Sequence, residues 1–510
     1  MAIREALSAS DESTRGSHAH NRNSWWWLPL AAVLLLFADG RQTIALAAWL
    51  APAVLLRFVR TQPAWRGLAI VYLTLVVTRG IAFRGMIPIP GVFYYIFLVI
   101  SCVSALLPYA ADRWLTRFLP ARYSTLVFPC TLVVTQFIYS HGPQGSWGTI
   151  AYTQAGNLPL LQLLSVTGLW GITFLIGWFA ATANLAWEGA REGRRPVAIF
   201  SLVMLAVLLG GGARLAIFPP QSPTLRVASL SPNDDRPQLD ERLIQAVATG
   251  VATAAQRQQF RMASQATENE LLARSEHEAA AGAKIVFWSE TALYVLKEDE
   301  SAALDRGRIL AQRYGIYLGM ALGTWTQGAA HPLENQLVLI DPAGQIAWRY
   351  LKSRPTPGPE AAVSVKSDGK LRALDTSFGR MSAAICYDMD FPTLMAQAGS
   401  MQAGLVLSPA GDWRAIDPRH TEMAAFRAIE QGFNLVRQTA RGLSAAYDYQ
   451  GHRLAAMDEF HSPDRTLVAE VPLRGVRTFY SVAGDWLAWL CLATLAALVA
   501  VPWRLRRMRT

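Results

Sequence analysis

The sequence predicts a polytopic α-helical membrane domain joined to an α/β domain built as a layered sandwich. Three observations carry this. Of 510 residues, 52% are hydrophobic and only 16% charged, less charge than a water-soluble enzyme of this length carries. Long apolar runs crowd residues 25–218 and return at 482–503. Between them, residues 219–481 alternate short apolar segments with helix-forming stretches and hairpin turns.

Residues 1–24 are a polar tail of Ser, His, Arg and Asn in which no cleavable signal peptide is legible. Apolar runs follow near 25–38, 42–59, 66–83, 90–110, 122–140, 160–187 and 196–218. A spanning helix needs ~20 apolar residues, so about seven spans are expected here, with one more at the end. The net charge is +10 and the pI about 9.6. A basic chain can bind nucleic acid, but these arginines sit beside apolar runs, where they set topology, and no nucleic acid is expected. Arg57, Arg60 and Arg66 flank the second gap, and Arg113, Arg117 and Arg122 the fourth. Arg191, Arg194 and Arg195 fill the sixth, and Arg504, Arg506, Arg507 and Arg509 end the chain. With the N-terminus inside, all four clusters face the cytoplasm. Residues 219–481 are then extracytoplasmic, and 482–510 form a final span with a basic cytoplasmic tail. The fifth gap, HGPQGSWGTIAYTQAGN at 141–157, carries Trp147 and Tyr152. These are either interfacial aromatics or part of a loop beneath the α/β domain that lines a lipid access route.

In the α/β part, 225–230, 284–289, 316–325, 405–408 and 434–439 read as strands. Residues 335–340 and 345–350 form one hairpin, and 443–447 and 453–457 another. Residues 240–283 read as a long helix with Gly250 a break, and 304–314 as a second. Asp417 reads as the N-cap of a third, with Pro418 at its first position.

The chemistry centres on RMSAAICYDMDFP, Arg380 to Pro392. Apolar Met381–Ile385 reads as a buried strand, after which Cys386 precedes a Pro-marked helix start. A thiol on such a turn can meet N–H groups that favour its thiolate and cradle an oxyanion. Cys102, Cys130 and Cys491, the other cysteines, lie in apolar runs, so no disulfide framework is legible. Glu290 and Lys352 share Cys386's position type, just past a strand's C-terminal end, where α/β sites form. Glu290 suits a general base, Lys352 a cation for the thiolate and oxyanion, and Cys386 a nucleophile carrying an acyl thioester. Taken singly, each has a plainer reading: a solvated charge, or a buried structural cysteine. Histidines lack metal-ligand spacing, and neither metal nor cofactor is expected. By their Pro, Gly and Asp content, 353–365 and 411–417 are candidate gating segments.

WSETAL at 288–293, Leu351-Lys352 and ICYDMDFP at 385–392 resemble the nitrilase (carbon–nitrogen hydrolase) superfamily. That resemblance implies an α-β-β-α sandwich and a Glu-Lys-Cys triad at Glu290, Lys352 and Cys386. With GNLPLLQLLSVTGLWGITFL at 156–175 and HTEMAAFRAIEQGFNLVRQTARGLSAAYDYQGH at 420–452, the chain resembles the membrane-embedded apolipoprotein N-acyltransferase family. The resemblance implies acyl transfer from a membrane phospholipid to the amine of a diacylated lipoprotein, in a bacterial inner membrane with the catalytic domain periplasmic. It assigns supporting positions to Glu360, beside Lys352, and to Tyr387 and Asp388. Three departures border the cleft. Asp388 replaces the usual Glu, SRPTPGP at 353–359 replaces Arg-His-Leu-Val-Pro-Phe-Gly, and Ser231-Pro232-Asn233 replaces Gln-Gly-Asn. The alternatives are another amine acceptor, a membrane-tethered amidase that uses water, and a non-catalytic scaffold or transporter.

Overall fold

In lipid, a long apolar run satisfies its backbone only as helix. The computed structural model describes residues 25–89, 91–189, 194–233 and 239–507. The expected polar tail, Arg191 and Arg509 lie outside the described residues. The chain forms two bodies. One takes the described residues up to Gln136, then Thr173–Leu205 and those from Leu487; the other takes Phe137–Ile172 and Ala206–Trp486.

Four described helices are long and apolar enough to cross a membrane: Ala64–Ala82, Val92–Phe118, Leu169–Trp187 and Arg194–Ile217. Trp27–Ala38, Leu158–Thr167 and Trp486–Ala500 are apolar but shorter. The eight expected spans are therefore uneven, for local reasons. The second run becomes Ala45–Thr61, with Pro52 inside it and Arg60 in its last turn. The fifth divides into Ala121–Ser124 and Val127–Ser140. The sixth breaks at Gly168, whose φ of +60° ends one helix before the next begins. In the first body, Arg60 grips buried Asp112 with two hydrogen bonds of 2.9 and 2.8 Å, tying Ala45–Thr61 to Val92–Leu115.

The second body is an α/β sandwich. Its strands are β1 (Thr224–Leu230), β2 (Ile285–Trp288), β3 (Leu293–Leu296), β4 (Tyr317–Trp325), β5 (Leu333–Ile340), β6 (Ile346–Leu351) and β7 (Ala373–Thr376). There follow β8 (Gly379–Ala383), β9 (Leu405–Gly411), β10 (Asn434–Ala440), β11 (Leu443–Tyr447), β12 (Arg453–Asp458) and β13 (Thr466–Pro472). One sheet has the order β13-β1-β2-β4-β5-β6 with β3 on β4, and the other β12-β11-β10-β9-β8-β7. Helices Ala254–Ala280 and Glu300–Tyr314 pack on the first, and Arg419–Gln431 on the second. Between the sheets Phe287, Leu337, Leu407 and Val436 share one buried core.

Strand direction places the site. β2 and β4 are parallel, and β6 returns to their direction through antiparallel β5. β8, β9 and β10 are likewise parallel. Each sheet thus sends several C-terminal strand ends to one edge, where side chains can converge.

The expected break at Gly250 is real: helices Glu241–Ala248 and Ala254–Ala280 are separate, and Thr253 caps the second. The capping role expected of Asp417 is not. That helix starts at Arg419, and Asp417 Oδ1 accepts the Leu443 N–H at 2.7 Å, pinning β11 instead.

Residues 137–172, read from the sequence as helix and loop of the membrane half, pack with the sandwich. Tyr152 is buried against Phe426, and Arg427 donates to its hydroxyl at 3.0 Å. Gln162 donates to the Gln450 carbonyl at 2.9 Å. At Gly168 an added Cβ would lie 2.4 Å from the Tyr480 ring, in a backbone conformation that already disfavours side chains. Gly168→Ala should therefore lower the melting temperature of the detergent-solubilised protein by several degrees. An unchanged melt in intrinsic fluorescence would contradict that.

Candidate active site

The edge collects Glu290 from beyond β2, Lys352 from beyond β6 and Cys386 from beyond β8. Lys352 Nζ donates to Glu290 Oε1 at 2.7 Å and to both Glu360 oxygens at 2.8 Å. The side chain of Lys352 is only 2% exposed, and that of Glu290 8%. A dry ammonium costs several kcal/mol, roughly, unless its donors are used, and here two carboxylates face it. Burial works against its charge, but Glu290, Cys386 and Glu360 overcome that and hold Lys352 well above the ordinary lysine range. Burial pushes Glu360 up, yet Lys352 and donors from Thr356 N–H and Asn335 leave it below the usual carboxylate range.

Asn335, within β5, was not legible as a site residue. Its Nδ2 donates to Glu290 Oε1 at 2.7 Å and Glu360 Oε1 at 2.9 Å, so one amide spaces both carboxylates. The signal was a polar run, Glu334-Asn335-Gln336, ahead of the apolar end of the strand, 337–340.

Cys386 opens a 3-10 turn, Cys386–Asp390, with φ of +50°. That is unusual for a residue with a side chain and costs about 1–3 kcal/mol. Its buried sulfur donates to the Gly411 carbonyl at 3.6 Å. A Cβ built on Gly411 would lie 3.4 Å from Glu290 Oε2, so this one glycine borders both groups. Burial first, then the charge of Glu290, raises the Cys386 thiol well above its ordinary range, while Lys352 pulls it down.

Neighbours lock the turn. Asp388 Oδ2 accepts from the Tyr350 hydroxyl at 2.7 Å and the Ile385 N–H at 3.0 Å. Its Oδ1 accepts the N–H groups of Ser353 and Arg354 at 3.1 and 2.7 Å. Burial still pushes its pKa up to about 7. The shorter Asp side chain therefore fills the position with every donor met, and it ties down the start of 353–365. The Tyr387 hydroxyl donates to the Pro143 carbonyl at 3.0 Å, and its ring meets Phe391 edge-on.

The 141–157 loop completes the clamp. Ser146 donates to the Asp390 carbonyl from its N–H at 2.7 Å and from its hydroxyl at 2.6 Å. Gly145 lies so close that a Cβ there would be 2.6 Å from the same carbonyl. Trp147 packs against His420, their ring centroids 5.8 Å apart. These contacts pack the loop against the α/β domain.

No site role was legible in the sequence for His420, Asp412 and Arg437, because they sit at different elements and match no ligand spacing. Donor atoms of Cys386, Asp412 and His420 lie within 4.8 Å of one another, a set that could suit zinc. The Arg437 guanidinium occupies the same cluster, 3.3 Å from Asp412 Oδ1 and 2.9 Å from His420 Nδ1. A fixed cation thus stands where an ion's charge would go.

Residues 242–480 match the carbon-nitrogen hydrolase family model, and residues 17–182 that of the apolipoprotein N-acyltransferase N-terminal domain. An apolipoprotein N-acyltransferase of Geobacter metallireducens is 25% identical, over 95% of this chain and 96% of its own. Another, from Bradyrhizobium diazoefficiens, is 26% identical over 77% and 76%. An amidase structure from Nesterenkonia sp. aligns with 53% of this chain and 97% of its own, at 20% identity and a TM-score of 0.40.

Removing Glu360 leaves Lys352 half-paired, so Glu360→Gln should cost about 3 kcal/mol of stability near neutral pH. Because folding depresses the Glu360 pKa, that contribution is complete above the unfolded carboxylate value and lost as pH falls through the folded one. Denaturant melts should show the two proteins converging in acid. A gap that persists there would remove the ion pair as its cause.

Proposed function

Since the chain belongs to the apolipoprotein N-acyltransferase family, we propose that it moves an acyl chain from a membrane phospholipid to the amine of a diacylglyceryl-cysteine on a lipoprotein, through a thioester on Cys386. The contiguity of Glu290, Lys352 and Cys386 at one edge of the sandwich supports this above all. The chain is a membrane protein, and we place it in a bacterial inner membrane with the sandwich on the periplasmic side. The arginine clusters at the helix ends support that orientation.

The chemistry follows from the charges. The resting thiol is protonated, since burial and Glu290 both oppose its ionisation. Glu290 takes the proton as sulfur attacks the donor's ester carbonyl. A bond forms between sulfur and carbon, and Lys352 faces the developing oxyanion. The carbon–oxygen bond then breaks. Glu290 returns the proton to the departing oxygen, and a lysophospholipid leaves. In the second half the acceptor amine attacks the thioester carbon and loses a proton to Glu290. The carbon–sulfur bond breaks, and the proton goes back to sulfur. Water must be kept from the thioester throughout. Glu360 and Asn335 hold Lys352 and Glu290 in register, while Tyr387 and Asp388 hold the turn.

The test uses a phospholipid with an alkyne-tagged acyl chain, given to the enzyme in native membranes. Wild-type protein should acquire a hydroxylamine-labile label that a diacylated lipopeptide discharges as its amide. Cys386→Ala should acquire none, and Glu290→Gln or Lys352→Met should lose at least ~100-fold in rate. Label on Cys386→Ala would end the nucleophile's role. Discharge only to free fatty acid would identify a hydrolase.

A further inference from the structure

Behind the nucleophile lies a second buried charge cluster for which the proposed reaction has no use. It is drawn from four elements. Asp390 ends the Cys386 turn, Asp412 follows β9, His420 lies in the first turns of Arg419–Gln431, and Arg437 lies in β10. All four side chains are essentially inaccessible to solvent. The two ring nitrogens of His420 face different carboxylates: Nδ1 is 2.7 Å from Asp412 Oδ1, and Nε2 is 3.4 Å from Asp390 Oδ2. The two carboxylates favour the protonated ring, against the Arg437 guanidinium, whose Nη2 lies 2.9 Å from Nδ1.

Arg437 connects this cluster to the turn. Its Nη1 donates to the Cys386 carbonyl at 3.4 Å, its Nε to Thr421 Oγ1 at 3.1 Å, and its Nη2 to Asp412 Oδ1 at 3.3 Å. The Cys386 carbonyl belongs to the residue that must hold a positive φ. Trp147 packs on His420 from the loop whose Ser146 grips the Asp390 carbonyl. His420 therefore sits where the turn, its clamp and the second sheet meet, with a donor atom within 4.8 Å of the Cys386 sulfur.

We propose that His420, clamped between Asp412 and Asp390, is a positioning residue that acts with Arg437 to fix the Cys386 turn and to keep a second cation beside the sulfur. It takes no proton from the thiol, because Asp412 and Asp390 hold the ring in its protonated form. Its effect is electrostatic and geometric. As sulfur becomes anionic it meets positive charge from His420 and Arg437 as well as from Lys352. The proposal rests on Cys386 being the nucleophile.

The consequence is a pH limb. Burial alone would lower the His420 pKa, but Asp412 and Asp390 outweigh burial and Arg437 and raise it to about 9. The imidazolium is then complete below the ordinary histidine value and lost as pH rises through about 9. Thioester formation from the alkyne-tagged phospholipid should fall across that range in wild-type membranes. His420→Gln should form thioester on the order of 10-fold more slowly below it and lack the limb. Asp412→Asn should move the limb to lower pH, which decides the matter if His420→Gln fails to insert or fold. A purely structural histidine would scale the whole profile and leave the limb in place; that result, or a wild-type profile with no limb, overturns the proposal. Cys386→Ala serves as control. If it still labels, the nucleophile assignment fails. If it does not label while His420→Gln keeps the wild-type limb, only this inference fails.

Discussion

The dry ammonium of Lys352 is the constraint from which the site is built. A lysine that is 2% exposed must spend every donor, and Glu290 and both oxygens of Glu360 meet it within 2.8 Å. That requirement accounts for Asn335, in the polar first half of its strand, whose amide keeps two carboxylates from repelling each other. It also accounts for the short helix Pro359–Val363, which delivers Glu360 beside the lysine. Each partner comes from a different strand end or loop, so the pocket exists only when the first sheet is complete.

The proposed nucleophile is held by the opposite strategy. Cys386 occupies a strained conformation that its own sequence does not favour, and contacts from outside maintain it. Asp388 gathers four donors beneath the turn, Arg437 holds the Cys386 carbonyl, and Ser146 holds that of Asp390. Ser146 lies some 240 residues before the turn it braces, among the apolar runs of the N-terminal half. The helical half of the sequence therefore contributes directly to the geometry of the sulfur, through a segment that packs with the sandwich.

What the sequence made legible divides along the same line. Glu290, Lys352 and Cys386 could be found because each follows a recognisable strand, and strand direction then brings them together. Turn chemistry marked Gly250 and the 341–344 hairpin correctly, since those signals are local. Asp417 misled, because the same side chain that caps a helix can accept a strand's N–H, and only tertiary packing decides between them. The sixth apolar run looked continuous because glycine is common in membrane helices. Its break at Gly168 answers to the Tyr480 ring, far along the chain. Asp390, Asp412, His420 and Arg437 all fall in stretches the sequence singled out, but no spacing joined them, for their meaning lies in mutual distance.

Those distances bear on why a carboxylate, and not solvent, should activate the thiol. Around the sulfur, Lys352, Arg437 and His420 face Glu290, Glu360, Asp412 and Asp390, which leaves a small negative excess in a pocket with little water to screen it. Losing the thiol proton to bulk water would deepen that excess in a medium of low dielectric. Passing it to Glu290 leaves the total unchanged and merely moves one charge from oxygen to sulfur, toward cations already in place. The proton then stays available for the leaving oxygen. A closed account of this kind lets the same pocket serve both halves of a transfer reaction, provided that water stays out of it.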